Sequence, residues 1–287
     1  MKIAILGNVG AWYMGDLSFA AKDRHVLVPI RFEELASRVE SSTSVHTPDA
    51  ALNEFDAVLV RSMPAGSLEQ VVFRMDALAN LSAMGVKVIN PPRAIEVAVD
   101  KYLATTRLAA AGLPVPRTVA CQTIEQAMLA FESLGGDVVL KPLFGSEGRG
   151  IARLSDESIA LRTFRALEQI GSVFYLQEFV EHEGCDLRLL VIGQEVLGMK
   201  RRHPTDWRTN ISRGAVGEPL KVTNDLAELA LRAAKAVGAV IAGVDLLPAH
   251  DGRLLAIEVN AVPGWKALTE VTGIDVAAKV LGLLEKP

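Results

Sequence analysis

An Asp-Gly pair near the C-terminal end sits between two apolar runs, and that arrangement leaves little choice of local fold. The segment reads Gly243-Val-Asp-Leu-Leu-Pro-Ala-His-Asp-Gly-Arg-Leu-Leu-Ala-Ile-Glu-Val-Asn260. Asp251-Gly252 is a preferred two-residue β-hairpin turn, because both residues tolerate the positive φ that such a turn needs. With that turn His250 faces Arg253, and counting outward puts Asp245 opposite Glu258. Glu258 and Asn260 are two apart on one strand, so they share a face. Three oxygen-bearing side chains are therefore predicted on one side of an otherwise apolar ladder. A one-residue change of turn breaks the Asp245–Glu258 pairing but keeps Glu258 and Asn260 together.

Two carboxylates about 5 Å apart repel each other unless a cation or proton lies between them. Oxygen ligands without His or Cys suit magnesium or manganese, which keep waters and bind substrate phosphates. A solvated sheet face accounts for each acid singly, but not for their register within runs such as Leu254–Ile257.

A second constellation reads Val138-Val-Leu-Lys141-Pro-Leu-Phe-Gly145-Ser-Glu-Gly148-Arg-Gly150-Ile. An apolar strand ends in a lysine, and a glycine-rich loop turns the chain back. Glycine lets backbone N–H groups approach phosphate oxygens, and the lysine supplies a point charge. This is not a Walker A loop, and an ordinary glycine hairpin reads the same way. A third group is basic: Lys200, Arg201, Arg202, His203, Arg208 and Arg213, with Trp207 and Asn210 among them. It reads as an anion site, as a solvated run, or as an RNA patch in which Trp207 stacks a base.

Composition narrows these readings. The 287 residues predict two or three domains. Thirty Lys and Arg against 34 Asp and Glu leave a net charge of −4, which argues against a nucleic-acid surface. No apolar stretch approaches the roughly 18 residues of a membrane span. Two cysteines, Cys121 and Cys185, lack metal-type spacing and predict a reduced, cytoplasmic protein. No G-x-S-x-G or H-E-x-x-H occurs, so covalent serine and zinc chemistries are set aside.

The first ninety residues predict an α/β unit with a parallel sheet. Strands are expected at Lys2–Leu6, His25–Ile30, 56–61 and Val86–Ile89. Helices are expected at Phe32–Val39 and Ser67–Met84, with Gly85 as the stop. Gly7, Gly10 and Gly15 follow the first strand with the wrong spacing for a dinucleotide fingerprint, and Arg31 stands where a ribose-binding acid belongs. Arg61, at a strand end, reads either as partner to an acceptor carboxylate or as a surface arginine. Asn90–Arg93 marks a boundary, and one long helix is expected from about Arg93 to Ala111. Short strands follow at Val138–Lys141, Ile151–Leu154, Val173–Val180, Asp186–Ile192 and Glu195–Lys200, with a helix over Asp225–Val237. This part reads as α+β with antiparallel sheet.

Phosphate loop, arginine group and carboxylate face stand in an order that resembles the ATP-grasp superfamily, and within it the RimK-type amino-acid (alpha-L-glutamate) ligases. The resemblance spans about Asp56–Leu284 and is densest at Ile95–Lys101, Val139–Ile151, Phe174–Val191, Trp207–Gly214 and Gly243–Gly264. It implies an ATP-grasp fold, α/β and α+β, preceded by a small parallel-sheet (pre-ATP-grasp) domain. The implied divisions are 1–92, a central lid domain over 93–180, and a C-terminal domain with the metal site over 181–287. By motif, Lys101 and Lys141 resemble the two phosphate-contacting lysines, and Gly145, Ser146, Gly148 and Gly150 the loop that folds over the phosphates. Glu178 and Phe179 resemble the hinge residues whose backbone reads adenine, and Asp186 the nucleotide-side acid. Arg208 and Asn210 resemble the pair facing the terminal phosphate and the reacting carboxylate. Asp245, Glu258 and Asn260 resemble the magnesium ligands. Arg188, Arg201 and Arg208 are candidates for meeting charge on an acyl phosphate.

The implied reaction is ATP-dependent carboxylate–amine ligation. ATP phosphorylates an acceptor carboxylate, an amine attacks the acyl phosphate, and ADP and phosphate leave. No side-chain nucleophile is needed, and catalysis rests on positioning and charge. Asn260-Ala-Val-Pro-Gly264 is similar to the ending of the glutamate ligases, which sets L-glutamate ahead of the carrier-protein ligases of lysine or arginine biosynthesis. A small-molecule acceptor of methanopterin type is expected ahead of RimK-like modification of a protein C-terminus. ATP, magnesium or manganese, and a homo-oligomer are expected, with no membrane or nucleic-acid partner. The alternative from another class is a non-catalytic nucleotide- or nucleic-acid-binding module.

Overall fold

The computed structural model describes residues 1–145 and 148–285. Its N-terminal sheet runs in the order Val26–Ile30, Lys2–Leu6, Ala57–Val60, Lys87–Ile89, all parallel. Ile3–Leu6 and Ala57–Val60 are almost wholly buried, as continuous apolar runs are in a sheet covered on both faces. Ile3, Ile5 and Leu59 face helices Trp12–Ala21 and Val276–Leu284, whereas Ala4, Leu6 and Val58 face helix Leu68–Ala83. The last helix of the chain therefore packs on its first sheet. Ser67 caps helix Leu68–Ala83 by accepting from the Gln70 N–H, and Gln70 reaches back to the Ser67 N–H.

Two expectations fail here. Phe32–Val39 is not a helix: Phe32–Glu34 is a single 3-10 turn, and Ala36–Val39 pairs with Thr43–Thr47 in a small antiparallel sheet. An eight-residue helix of about two turns is marginal alone, while the paired strand Thr43–Thr47 places Val45, fully buried, in the core with Phe32, Leu35 and Leu52. The long helix at 93–111 is two, Pro92–Val99 and Lys101–Ala110. Asp100 is extended between them and its side chain accepts from the Leu103 N–H, so an N-cap interrupts what periodicity joins. That break puts Lys101 at the first position of the second helix.

An antiparallel sheet follows in the order Ala152–Leu154, Val138–Lys141, Phe174–Glu178, Thr118–Cys121. Helices Ile124–Ser133 and Glu157–Glu168 share its core around Phe131, Phe164 and Phe174. A five-stranded antiparallel sheet has the order Val216–Pro219, Glu195–Arg202, Cys185–Ile192, Ile241–Pro248, Leu254–Asn260. Alternation along Cys185–Ile192 divides its faces. Leu189 and Val191 pack with Val97, Leu108 and helix Asn224–Val237, while Leu190 and Ile192 pack toward the N-terminal unit. The helices at 92–110 thus share the core of the five-stranded sheet. Among the described residues no helix is long and apolar enough to cross a membrane.

Asn90 joins the N-terminal unit to this last sheet. It is 2% exposed; its Oδ1 accepts from the N–H groups of Val240 (2.7 Å) and Ile241 (2.9 Å), and its Nδ2 donates to the carbonyls of Ile241 (2.7 Å) and Ala261. Replacement by leucine leaves buried backbone groups unpaired, at about 1–3 kcal/mol each. Asn90→Leu is expected to lower unfolding stability by about 3 kcal/mol or more, read as a lowered urea midpoint at unchanged slope.

Candidate active site

The C-terminal hairpin brings Asp245 opposite Glu258, but not by the turn expected. The loop closes on Ala249 and Arg253, with Gly252 left-handed at φ +86°, so three residues and not two form the turn. That change alone shifts the register by one, pairing Leu246 with Ala256 and Leu247 with Leu255. A bulge between Asp245 and Leu246 shifts it back. The extra residue, Ile257, restores the pairs Asp245–Glu258, Val244–Val259 and Gly243–Asn260.

Asp245 does not face Glu258 alone. It is 2% exposed and meets two guanidinium groups, Arg188 (Nη2 to Oδ2 2.9 Å) and Arg201 (Nη2 to Oδ2 2.9 Å). Arg201 also grips both oxygens of Asp186, Nε to Oδ1 at 2.7 Å. Burial works against the Arg201 charge, but Asp245 and Asp186 hold it above its ordinary range. Part of the positive charge that the paired acids require is therefore supplied by arginine. Asp245 Oδ1 remains buried without a hydrogen-bond partner, although Arg188 Nε stands 2.5 Å away, out of line for donation. Glu258 makes no hydrogen bond or ion pair among the described residues, and Asn260 Oδ1 accepts from the Val262 N–H at 2.8 Å. A carboxylate oxygen without a hydrogen bond beside Arg188, a carboxylate free of ion pairs and an amide oxygen form a set of oxygen donors of the kind a hard divalent cation takes. Among the described residues no group of three His, Cys, Asp or Glu has metal-site geometry.

Facing this ladder across a cavity is the central sheet. Lys141 ends its strand there and donates to Gln177 Oε1 at 2.5 Å. Gln177 is itself held by Thr118 and Tyr175. Burial pushes Lys141 down to about 8, against the pull of Glu258 and Asp245 and with the push of Lys101. Lys101 Nζ donates to the Gly145 carbonyl at 2.7 Å, which ties the second helix to the glycine loop. Gly145, Gly148 and Gly150 all have positive φ. A Cβ on Gly148 would stand 2.4 Å from Asn210 Oδ1, so the loop closes against Asn210 only because it is glycine. Ser146 lies outside the described residues.

The remaining expectations fall out unevenly. Glu178 and Phe179 line the cavity, but their N–H groups donate to the carbonyls of Arg117 and Asp137. Val180 also lines the cavity, and its N–H, which the sequence reading passed over, donates to no described residue. Phe179 is instead a wall, with Arg153 3.4 Å over its ring and Trp207 edge-on at 5.7 Å. Trp207 is thus engaged by protein. Asp186 lines the cavity with both oxygens held by Arg201. Of the three candidate arginines, Arg201 and Arg208 line the cavity, and each is ion-paired. Arg208 binds Asp206 at 2.8 Å and through its hydrogen bonds holds that carboxyl down at about 2. Arg188 stands behind Asp245, in space that a side chain at Gly243 would fill. The basic group is split by strand alternation. Arg201 points inward, whereas Arg202 bonds the Glu183 carbonyl and lies 3.6 Å from Glu218. Gln177 and Val180 carried no sequence signal beyond lying in the hinge strand and just past it.

The RimK-like ATP-grasp domain family matches residues 98–284. The tetrahydromethanopterin:alpha-L-glutamate ligase of Methanosarcina acetivorans is 33% identical, over 96% of this chain and 95% of that one. The ribosomal protein bS6–L-glutamate ligase of Escherichia coli strain IAI39 is 32% identical, over 100% and 96%. The ATP-grasp ligase PsnB, solved with a minimal precursor, Mg and ADP, has the same fold, with a TM-score of 0.77, 20% identity and 98% and 96% coverage. The chain belongs to the RimK-like ATP-grasp family. It is an ATP-dependent ligase that forms a C–N bond.

Lys141 carries a pH consequence. Its pKa of about 8 in the free protein is below that of an ordinary lysine, and bound phosphate raises it. If ATP phosphate binds against Lys141, binding is accompanied by proton uptake around and above pH 8, and affinity falls as pH rises through 8. Calorimetric titration with ATP in two buffers of different ionisation enthalpy, between pH 7 and 9.5, checks both the uptake and the direction.

Proposed function

We propose that this ligase joins the amine of L-glutamate to an acceptor carboxylate, with a pterin-type small molecule as acceptor. The observation that carries the reading is the convergence of Lys141, Asn210, Asp245 and Glu258 on one cavity beside the glycine loop. One side offers cations and glycine backbone to phosphates, and the other offers acids to a divalent cation.

In this reading Lys101 and Lys141 hold the ATP phosphates, and the Gly145–Gly150 loop covers them. The Val180 N–H is the donor to the adenine edge, in place of Phe179. Asp245, Glu258 and Asn260 hold magnesium or manganese, which when bound neutralises phosphate charge. The acceptor carboxylate takes the γ-phosphoryl group of ATP. The glutamate nitrogen then bonds to the acyl carbon, the carbon–oxygen bond to phosphate breaks, and the nitrogen loses a proton. Arg208, on the cavity wall, meets the charge on the acyl phosphate. Arg188 and Arg201 act through Asp245 and are positioning residues. Removing one preorganised donor of this kind costs on the order of 3 kcal/mol, about a hundredfold in rate.

L-Glutamate follows from the names of both relatives. The pterin follows the Methanosarcina relative, and a protein tail, as in the Escherichia coli one, is the competing acceptor. ADP release with L-glutamate is measured with tetrahydromethanopterin, with a peptide bearing the bS6 C-terminus, and with neither. Stimulation by the pterin is expected; stimulation by the peptide alone, or by neither, sinks the acceptor assignment. Glu258→Gln is expected to raise the magnesium concentration for half-maximal ADP release at least tenfold, and a titration matching the parent protein removes Glu258 from the cation site.

A further inference from the structure

Arg61 follows strand Ala57–Val60 and belongs to none of the groups above. It is no surface arginine, being 6% exposed. Its Nη2 donates to the Pro263 carbonyl at 2.7 Å. Its guanidinium lies 3.9 Å over the Trp265 ring and 5.2 Å from the Tyr13 ring. Among the described residues it forms no ion pair, and its Nε is buried without a hydrogen-bond partner. Asp16 acts on it from a distance, but Asp16 Oδ2 accepts from Trp265 Nε1 at 2.7 Å. Burial pushes the group down only to about 10, so it is a cation at neutral pH. A buried charged donor left unpaired is among the more costly features a fold can carry.

Its position in the sheet suggests what offsets that cost. From Lys2–Leu6 the chain passes to Val26–Ile30 on one side, and later returns to Ala57–Val60 on the other. The loops after Leu6 and Val60 therefore part at a topological switch point, the crevice where open parallel sheets bind ligands. These loops are tied together at this point. Ser62 Oγ accepts from the Asn8 N–H at 3.1 Å and lies 3.2 Å from the Tyr13 hydroxyl, which donates to the Asn8 carbonyl. A Cβ on Gly7 would stand 2.3 Å from that hydroxyl. Pro263 is three residues from Asn260, a stretch that spans at most about 10 Å, so Arg61, bonded to the Pro263 carbonyl, stands close to the acid face.

We propose that Arg61, in the crevice between the loops after Leu6 and Val60, binds a non-reacting carboxylate of a substrate while that substrate's reacting group reaches the acid face. The choice of substrates rests on the ligase reading; the carboxylate site does not depend on turnover. Wild type, Arg61→Met and Arg61→Lys are titrated calorimetrically with L-glutamate, as amine donor, and with tetrahydromethanopterin, as acceptor. Each titration contains magnesium and a non-hydrolysable ATP analogue. Arg61→Met is expected to bind one of the two at least thirtyfold more weakly and the ATP analogue within twofold of wild type, and the ligand that weakens names the source of the carboxylate. Arg61→Lys keeps the charge and loses the fork, so it recovers part of the loss. If Arg61→Met loses ATP-analogue binding, the lysine variant makes the same comparison, with at least a fivefold weakening of one ligand expected. Unchanged affinity for both ligands in a variant that binds the ATP analogue overturns the proposal, as does a wild type that binds neither. A wild type that binds either ligand through Arg61 yet releases no ADP refutes the proposed reaction and leaves the carboxylate site standing.

Discussion

Arg201 lies between Asp186 and Asp245, and the geometry of the cavity depends on that arrangement. Register places Asp186 opposite Arg201 and Arg188 opposite Asp245 across three neighbouring strands. The two acids and two arginines therefore alternate on one sheet face. Buried charges survive only when paired, and a slip of one residue would send each of these into an apolar layer. The ladder thus holds the strand that carries Asp245, and with it the position of Glu258 across the hairpin. The acid face of the cavity is set by charge pairing within the sheet, before any substrate arrives.

Much of this was legible in the chain. The parallel first sheet follows from its apolar runs, and helix Leu68–Ala83 from its helical spacing and its stop at Gly85. The strand ending in Lys141 and the glycine turn after it were legible as local structure. The pairing of Asp245 with Glu258 was legible for an incomplete reason. Sequence offers Asp251-Gly252 as a two-residue turn, the chain makes a three-residue one, and a bulge at Ile257 compensates. Turn chemistry is local and can be read, but a bulge is chosen by which face of a strand the core accepts.

What escaped reading is competition between a segment's preference and the partners, near or distant in sequence, that its groups find. Ala36–Val39 has helical spacing but finds Thr43–Thr47 to pair with. Asp100 reads as one more helical residue until its side chain caps the next helix. The Phe179 N–H, expected at the adenine edge, is taken instead by the carbonyl of Asp137, just before strand Val138–Lys141. The run from Lys200 to Arg213 looks like one basic patch, yet strand alternation and the acids at 186, 206 and 218 divide it.

The sequence by itself determined the parallel first sheet, the C-terminal hairpin, the family, and which residue types carry charge and oxygen ligands, because these follow from periodicity, turn chemistry and motif spacing. Tertiary structure alone decided which charges are free to act. Arg188 is held by Asp245, and Arg201 by Asp186 and Asp245; among the described residues Glu258 has no ion pair and Arg61 is buried without a counter-ion. Pairing and desolvation belong to the space between elements, and no stretch of chain encodes them singly.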